Sequence, residues 1–262
     1  MNKWRLITDP PSRGSWNMAA DYALLMSVTE GMSPPVLRFY SWSKPAITIG
    51  YFQNPETETD LTACETLGID VIRRATGGGA VYHEHEITYS MVFPAGHPFA
   101  GSDILDSYTR NLVPFISALA SFGLDAKHAP VNDLHIGGRK VSGNAQTRRK
   151  GAVLQHGTIL LDIDRDKAFR CLTVPADKVE RKGLSDPRQR VTCLREHLGE
   201  RVLDFSFEGE FIQAVTGSFR DCAGIHPAPS RLSDRECASA KKIEAAVFAA
   251  EEWNLHRHGE LP

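Results

Sequence analysis

Cysteine is scarce in this chain of 262 residues, and what there is stands badly placed for chemistry. The five thiols, Cys64, Cys171, Cys193, Cys222 and Cys237, are odd in number and far apart, with no C-x-x-C pair. That excludes a disulfide framework and a zinc ribbon, and makes a reducing cytoplasm the expected compartment. Net charge is nearly missing too. At −2 there is no global pull toward nucleic acid or an anionic membrane, so any cationic function has to come from local clusters. No run reaches the ~18 apolar residues of a membrane span. The first residues carry Lys3, Arg5, Asp9 and Arg13 where a signal peptide would be apolar, so neither secretion nor membrane insertion is expected.

What is present suits an ordinary globular domain: 42% hydrophobic and 24% charged residues can bury a sizeable core. Met18, Tyr22, Leu25 and Met26 fall at helical spacing before Gly31, predicting a helix over 17–30. Stretches 36–42, 46–52, 71–74, 80–83 and 87–93 read as strands, and 104–122 as a long helix stopped by Gly123. Residues 140–144 and 152–162 form a hairpin whose connection carries Arg148, Arg149, Lys150 and Gly151. Two more helices are expected over 208–221 and 234–252, with a break at Pro227-Ala228-Pro229. The class is α+β: a mixed, mostly antiparallel sheet with helices on one side.

Two segments stand out. Arg73-Arg74-Ala75-Thr76-Gly77-Gly78-Gly79-Ala80-Val81-Tyr82-His83 places three glycines between two strands, where backbone N–H groups can converge on an anion beside fixed guanidinium charge. It is not a P-loop, because no Lys-Ser or Lys-Thr and no helix follow. A plain glycine-rich turn is the competing reading. The second segment is Gly138-Arg139-Lys140-Val141-Ser142-Gly143-Asn144-Ala145-Gln146. The Lys140 ammonium could steady negative charge developing on acyl and phosphoryl oxygens, acting electrostatically rather than as a nucleophile; an ordinary solvated lysine is the alternative. His83-Glu84-His85-Glu86 has the look of a metal site but lacks a third ligand at zinc spacing. Tyr51, Phe52 and Tyr82 either wall an apolar slot, where each buried CH₂ contributes ~0.8 kcal/mol, or belong to the core.

These two segments, together with Leu154-Gln155-His156-Gly157-Thr158-Ile159-Leu160-Leu161-Asp162, resemble the lipoate–protein ligase A family, within the wider group of biotin and lipoate ligases and octanoyltransferases. The resemblance extends to Arg38-Phe39-Tyr40, to Ile49-Gly50-Tyr51-Phe52-Gln53-Asn54, and to Arg190-Val191-Thr192-Cys193-Leu194, where cysteine replaces the family's asparagine. It implies the biotin/lipoate ligase catalytic fold over 1–200, with 201–262 a helical extension packed on the same domain and too short for a complete accessory domain. The implied activity uses ATP and magnesium to activate lipoate or octanoate as an acyl-adenylate, then acylates a lysine of a lipoyl-domain or H-protein-like carrier; in some relatives a second polypeptide assists.

By the same resemblance Lys140 holds the acyl-adenylate. Arg74, Thr76, Gly77, Gly78, Gly79, Tyr82 and His83 belong to the nucleotide and acyl-adenylate site, as do Asn132, Asp133, Ser142, Gly143, Ala145, His156 and Gly157, with Asn132-Asp133 on the adenosine side. Arg38, Gly50, Tyr51 and Phe52 are assigned to the acyl pocket. Magnesium comes mainly through nucleotide phosphates. Arg148, Arg149 and Lys150, read as the hairpin tip, are offered as acceptor contacts. The main rival is an octanoyltransferase taking its acyl group from a carrier-protein thioester through a cysteine. In the cysteine-dependent transferases that the first 90 residues resemble, that cysteine lies before the lysine motif. The matching stretch, 127–138, has none, and Cys171 reads as a helix interior, so a ligase is the expectation. A non-enzymatic lipoyl- or carrier-binding protein and a biotin ligase are the remaining alternatives.

Overall fold

In a computed structural model of the chain, residues 3–173 and 186–262 are described. A long hairpin organises them. β9 (Arg139–Arg149) and β10 (Ala152–Leu160) are joined by Lys150 and Gly151 alone, with φ of 51° and 83°. Two left-handed residues match the right-handed twist of the flanking strands. The strand therefore runs further than the motif suggested, and the three cations do not share one tip. The Arg148 guanidinium donates to the carbonyls of Ala100 and Asp103, Arg149 lies 5.4 Å from the Tyr51 ring, and only Lys150 sits in the turn.

The hairpin joins β1 (Lys3–Thr8), β2 (Val36–Tyr40), β6 (Glu86–Pro94), β7 (Ala126–Ala129), β8 (Asp133–Ile136) and β11 (His226–Ser230) in an eight-stranded sheet ordered β11-β1-β2-β6-β10-β9-β8-β7. A second sheet, ordered β4-β3-β5, holds β3 (Ala46–Ile49), β4 (Asp70–Arg73) and β5 (Val81–His83). Most pairings are antiparallel, which with the helices makes the fold α+β.

Helices cover both faces of the large sheet rather than one. Leu112 and Phe115 of the helix Ile104–Ser121, with Phe211 and Phe219 of the helix Phe207–Ala223, pack on Tyr89, Met91 and Phe93. On the other face the helix Gly14–Thr29 is sandwiched between Val36, Tyr40 and Leu154 of the sheet and Ala240 and Ile243 of the helix Asp234–Ile243. Burial on both faces explains the nearly unbroken apolar run of β6. The final helix is interrupted by a π turn at Glu244–Phe248 and resumes as Glu251–Asn254. The proline segment read as a break is instead edge strand β11, parallel to β1, where missing N–H groups are tolerated. Among the described residues no helix is long and apolar enough to cross a membrane.

Candidate active site

The glycine run leaves the end of β4, where side chains alternate between faces. Arg73 and Arg74 consequently point opposite ways, and both are buried. Arg73 donates to the carbonyls of Gly50, Tyr51 and Gln53 on one side and of Trp253 and Asn254 on the other. Arg74 donates to the Thr48 carbonyl and hydroxyl, the Thr76 hydroxyl, and the carbonyls of Gly77 and Gly79. Each partner of Arg74 is neutral, and burial pulls its guanidinium down to about 10. It stays charged at neutral pH with no carboxylate to balance it. Because C=O and N–H of a trans peptide point in opposite directions, capturing the carbonyls of Gly77 and Gly79 turns the N–H groups of Gly78 and Ala80 away from Arg74. Gly50 lets the run come this close: a Cβ there would meet the Gly78 carbonyl oxygen at 2.1 Å.

The lysine motif faces this loop from β9. Lys140 Nζ lies 2.8 Å from Asp133 Oδ1 on β8, and a Cβ at Gly143 would fall 2.6 Å from that nitrogen, so glycine gives the ammonium room. Asn132 and Asn144 clamp each other through side chain and backbone, and Asn144 accepts from the Tyr89 hydroxyl at 2.6 Å. The Lys140 carbonyl accepts from Thr192 N at 2.8 Å, which brings the Arg-Val-Thr-Cys-Leu segment against the motif.

Two adjoining cavities of about 80 and 730 Å³ meet at Lys140, Gly143, Thr158 and the glycine run. Arg74, Gly78, Gly79 and His83 line the smaller one, with Asn132, Ala145, His156 and Gly157 opposite. Met18, Tyr40, Trp42 and Val81 supply apolar wall. Tyr82 and Asp133 line the larger cavity with Arg139, Phe169, Leu172 and Arg190. Thr76 and Ser142 are fully buried and, with Gly77, line neither cavity.

Four positions read as acyl pocket lie elsewhere. Arg38 is buried between Asp9 and Asp21, Phe52 is 78% exposed, and Tyr51 packs against Trp253. Gly50 serves the loop rather than either cavity wall. The sequence reading missed Asp21, Thr48 and Glu86. Asp21, 1% exposed, accepts from Arg38, Tyr40 and Ser90 and faces His156 Nδ1 at 3.3 Å. Burial works against its charge, yet Arg38 and His156 keep it below the ordinary carboxylate range. An aspartate inside the apolar run Ala19-Ala20-Asp21-Tyr22-Ala23-Leu24-Leu25 was the available signal.

His83 stacks on Trp42 at 4.0 Å and bonds Thr48 and Glu86, so it is committed to the wall. Among the described residues no group of three or more His, Cys, Asp or Glu is disposed to hold a metal ion. None of the five cysteines lines either cavity. Cys64 and Cys171 are buried with Ile47, Ile49 and Tyr82 beneath the small sheet, and Cys193 is buried with its sulfur 3.8 Å from Asp162 Oδ1. Burial pushes the Cys64 thiol up to about 12 and raises Cys171 and Cys193 as well.

The chain is similar over its whole length to proteins of known class. An octanoyltransferase LipM of Brevibacillus brevis is 33% identical over 280 aligned positions, covering 98% of this chain and all of that one. A bi-partite lipoate protein ligase of Thermoplasma acidophilum, solved with its E2 lipoyl domain, superposes with a TM-score of 0.85 at 29% identity, covering 100% of this chain and 99% of that one. A lipoate-protein ligase A bound with ATP gives 0.82 at 29% identity, covering 97% and 98%. Residues 13–220, which hold the glycine run, the lysine motif and both cavities, match the lipoyl protein ligase A/B catalytic domain, and the chain belongs to that family.

Proposed function

We propose that this enzyme attaches an octanoyl or lipoyl group to a lysine of a lipoyl-domain carrier protein, with the acyl group first activated by ATP as an acyl-adenylate. The observation that carries the ATP route is the placing of the cysteines: a thioester route through the protein needs an activated thiolate beside Lys140, and every thiol lies outside both cavities. The ATP-bound relative supports the same route.

In this reading the acyl chain lies along Met18, Trp42 and Val81 with its carboxyl group at the junction, and the nucleotide occupies the larger cavity. A carboxylate oxygen attacks the α-phosphorus and pyrophosphate leaves. The carrier lysine's amine then attacks the acyl carbon, the bond to AMP breaks, and the amine gives up a proton. Lys140 donates to the oxygens on which charge develops, and the N–H groups of Gly78 and Ala80, turned outward because Arg74 holds the carbonyls of Gly77 and Gly79, meet the anion without reorganising, while Arg74 itself contributes its charge from behind the loop. Magnesium would travel on the nucleotide phosphates.

A second reading, octanoyl transfer from an acyl-carrier thioester without ATP, has the names of the full-length relatives behind it, and those names favour it over the ATP route. One experiment separates the two. The full chain is incubated with a lipoyl domain and either octanoate, lipoate, ATP and Mg²⁺, or octanoyl-acyl carrier protein alone, and the acceptor is weighed intact. Acylation that depends on ATP and survives replacement of all five cysteines supports the adenylate. Acylation from the thioester alone overturns it.

A further inference from the structure

Arg74 is served by two threonines, Thr48 on β3 and Thr76 in the glycine-run loop, and each threonine is backed by a histidine and a carboxylate. On one side Arg74 Nε donates to Thr76 Oγ1 at 3.3 Å, Thr76 Oγ1 lies 2.7 Å from His156 Nε2, and His156 Nδ1 lies 3.3 Å from Asp21 Oδ2. On the other, Arg74 Nη1 donates to Thr48 Oγ1 at 2.7 Å, Thr48 Oγ1 lies 2.7 Å from His83 Nε2, and His83 Nδ1 lies 2.7 Å from Glu86 Oε1. All seven residues are buried.

Counting protons fixes the state of both arms. A guanidinium only donates, so each hydroxyl must accept from it. A hydroxyl has one proton, and the nearest place to spend it is the histidine Nε2, which must then be a bare lone pair. With Nε2 bare, the single proton of the ring sits on Nδ1, which faces the carboxylate oxygen. Asp21 is held ionised by Arg38, and burial lowers His156 below its ordinary value against the pull of Asp21, which keeps that ring neutral at pH 7. The ionisable groups around the arms are Asp21 and Arg38 at one end, Glu86 at the other and Arg74 between, with the Tyr40 phenol on Asp21.

We infer that Asp21 and Glu86 are positioning residues: each fixes a neutral, Nδ1-protonated histidine, which turns a threonine lone pair toward Arg74 and so holds a guanidinium that no carboxylate neutralises at the cavity wall. Its catalytic consequence rests on the proposed function, in which Arg74 holds the glycine run and lends its positive charge to the acyl carboxyl or phosphoryl oxygen beside it. The histidine states do not rest on it.

The test has two readouts. Long-range ¹H–¹⁵N spectra of the full-length protein at pH 7, with the two rings assigned through His83→Gln and His156→Gln, should show a protonated Nδ1 and a bare Nε2 for both. An imidazolium, or the opposite tautomer, on either ring overturns the inference. In the second, Thr76→Val and Thr48→Val keep side-chain shape but remove the acceptor, and should each raise KM for the acyl acid about tenfold, the effect of losing one hydrogen bond to a charge, with the serine variants near wild type. Glu86→Gln, whose amide can donate to Nδ1, should shift His83 toward the other tautomer and raise KM in the same direction. Valine variants with unchanged KM in an active enzyme sever the arms from Arg74's task. A wild-type chain inactive with either acyl donor overturns the functional reading instead, and the ring spectra still decide this one.

Discussion

Arg38 on β2 and Arg74 at the end of β4 are both buried cations, 0% and 4% exposed, and the regions around them handle that charge in opposite ways. Arg38 donates to Asp9 at 2.7 Å and Asp21 at 2.8 Å and lies 4.1 Å from the Tyr40 ring; burial lowers it, but Asp21 and Asp9 carry it above its ordinary value. Arg74 has neutral oxygens only, and burial brings it down to about 10. Two carboxylates neutralise one buried arginine and none neutralises the other, which is the imbalance that an acyl or phosphoryl anion would correct under the proposed function. The bare one lines the cavity; the neutralised one braces the helix Gly14–Thr29 on the sheet.

The sharpest way to break this comparison is to remove each charge. Arg38→Met strands Asp21 and Asp9 and should cost ~3–5 kcal/mol in urea unfolding. Arg74→Met strands no charge, so stability should fall less while acceptor modification drops ~10²-fold or more, as for loss of one oxyanion donor. Equal destabilisation with activity retained would abolish the distinction. Lys140→Ala, which leaves Asp133 28% exposed and able to hydrate, should also lower turnover by ~10²-fold or more with an unchanged unfolding midpoint; near-normal turnover at saturating substrate would remove it from the chemistry.

A third, smaller effect tests what pairing does for a carboxylate elsewhere. Glu236, 3% exposed, takes two hydrogen bonds from Arg5. Burial alone would raise it, but Arg5 and Ser233 hold it at about 2 against an ordinary 4.5. Its folded value is depressed, so it stabilises above the unfolded value and the contribution is lost as pH falls from 4.5 toward 2. Glu236→Gln should therefore unfold earlier than wild type at pH 7, and the gap should close across that window. A gap constant with pH would refute the linkage. The smallest effect belongs to the cations at the end of the hairpin, half-buried Arg149 and exposed Lys150. Reversing Arg149 and Lys150 together should raise acceptor KM a few-fold at low salt and leave activation of the free acid alone, since steering between exposed charges is weak and screened. Unaltered acceptor kinetics at low ionic strength would reduce them to a turn.

The glycine run between two strands, the lysine hairpin and the long helix were all legible in the sequence because each rests on local chemistry: positive φ, alternation and helical periodicity. β1 and β11 were not. Lys3-Trp4-Arg5-Leu6-Ile7-Thr8 alternates for only four residues at a charged end of the chain, and His226-Pro227-Ala228-Pro229-Ser230 looks like a breaker unless one knows it lies at an edge. The polar strands Ala126–Ala129 and Asp133–Ile136 were hidden for the same reason. Within the site, glycines and lysine announce themselves by type, whereas Thr48, Glu86 and Asp21 acquire meaning from networks whose other members include residues 26, 44 and 135 positions away. The acyl-pocket reading of Tyr51 and Phe52 rests on their aromatic type and on the resemblance, but β3 ends at Ile49, before either residue, and neither lines a cavity.

Arg73 does its work with no ligand in view. Its donors gather the carbonyls of residues 50, 51 and 53 together with those of residues 253 and 254, and Asn254 Oδ1 accepts from its backbone N–H. The loop that shapes the anion cradle is thus tied to residues made some 180 positions later. During synthesis, when residues emerge at about 5–20 per second, the sheet and lysine hairpin can be in place seconds before the cradle has its last support. A nascent chain stalled before residue 253 would hold Lys140 and Asp133 on their strands while Arg73 still lacked the carbonyls of Trp253 and Asn254.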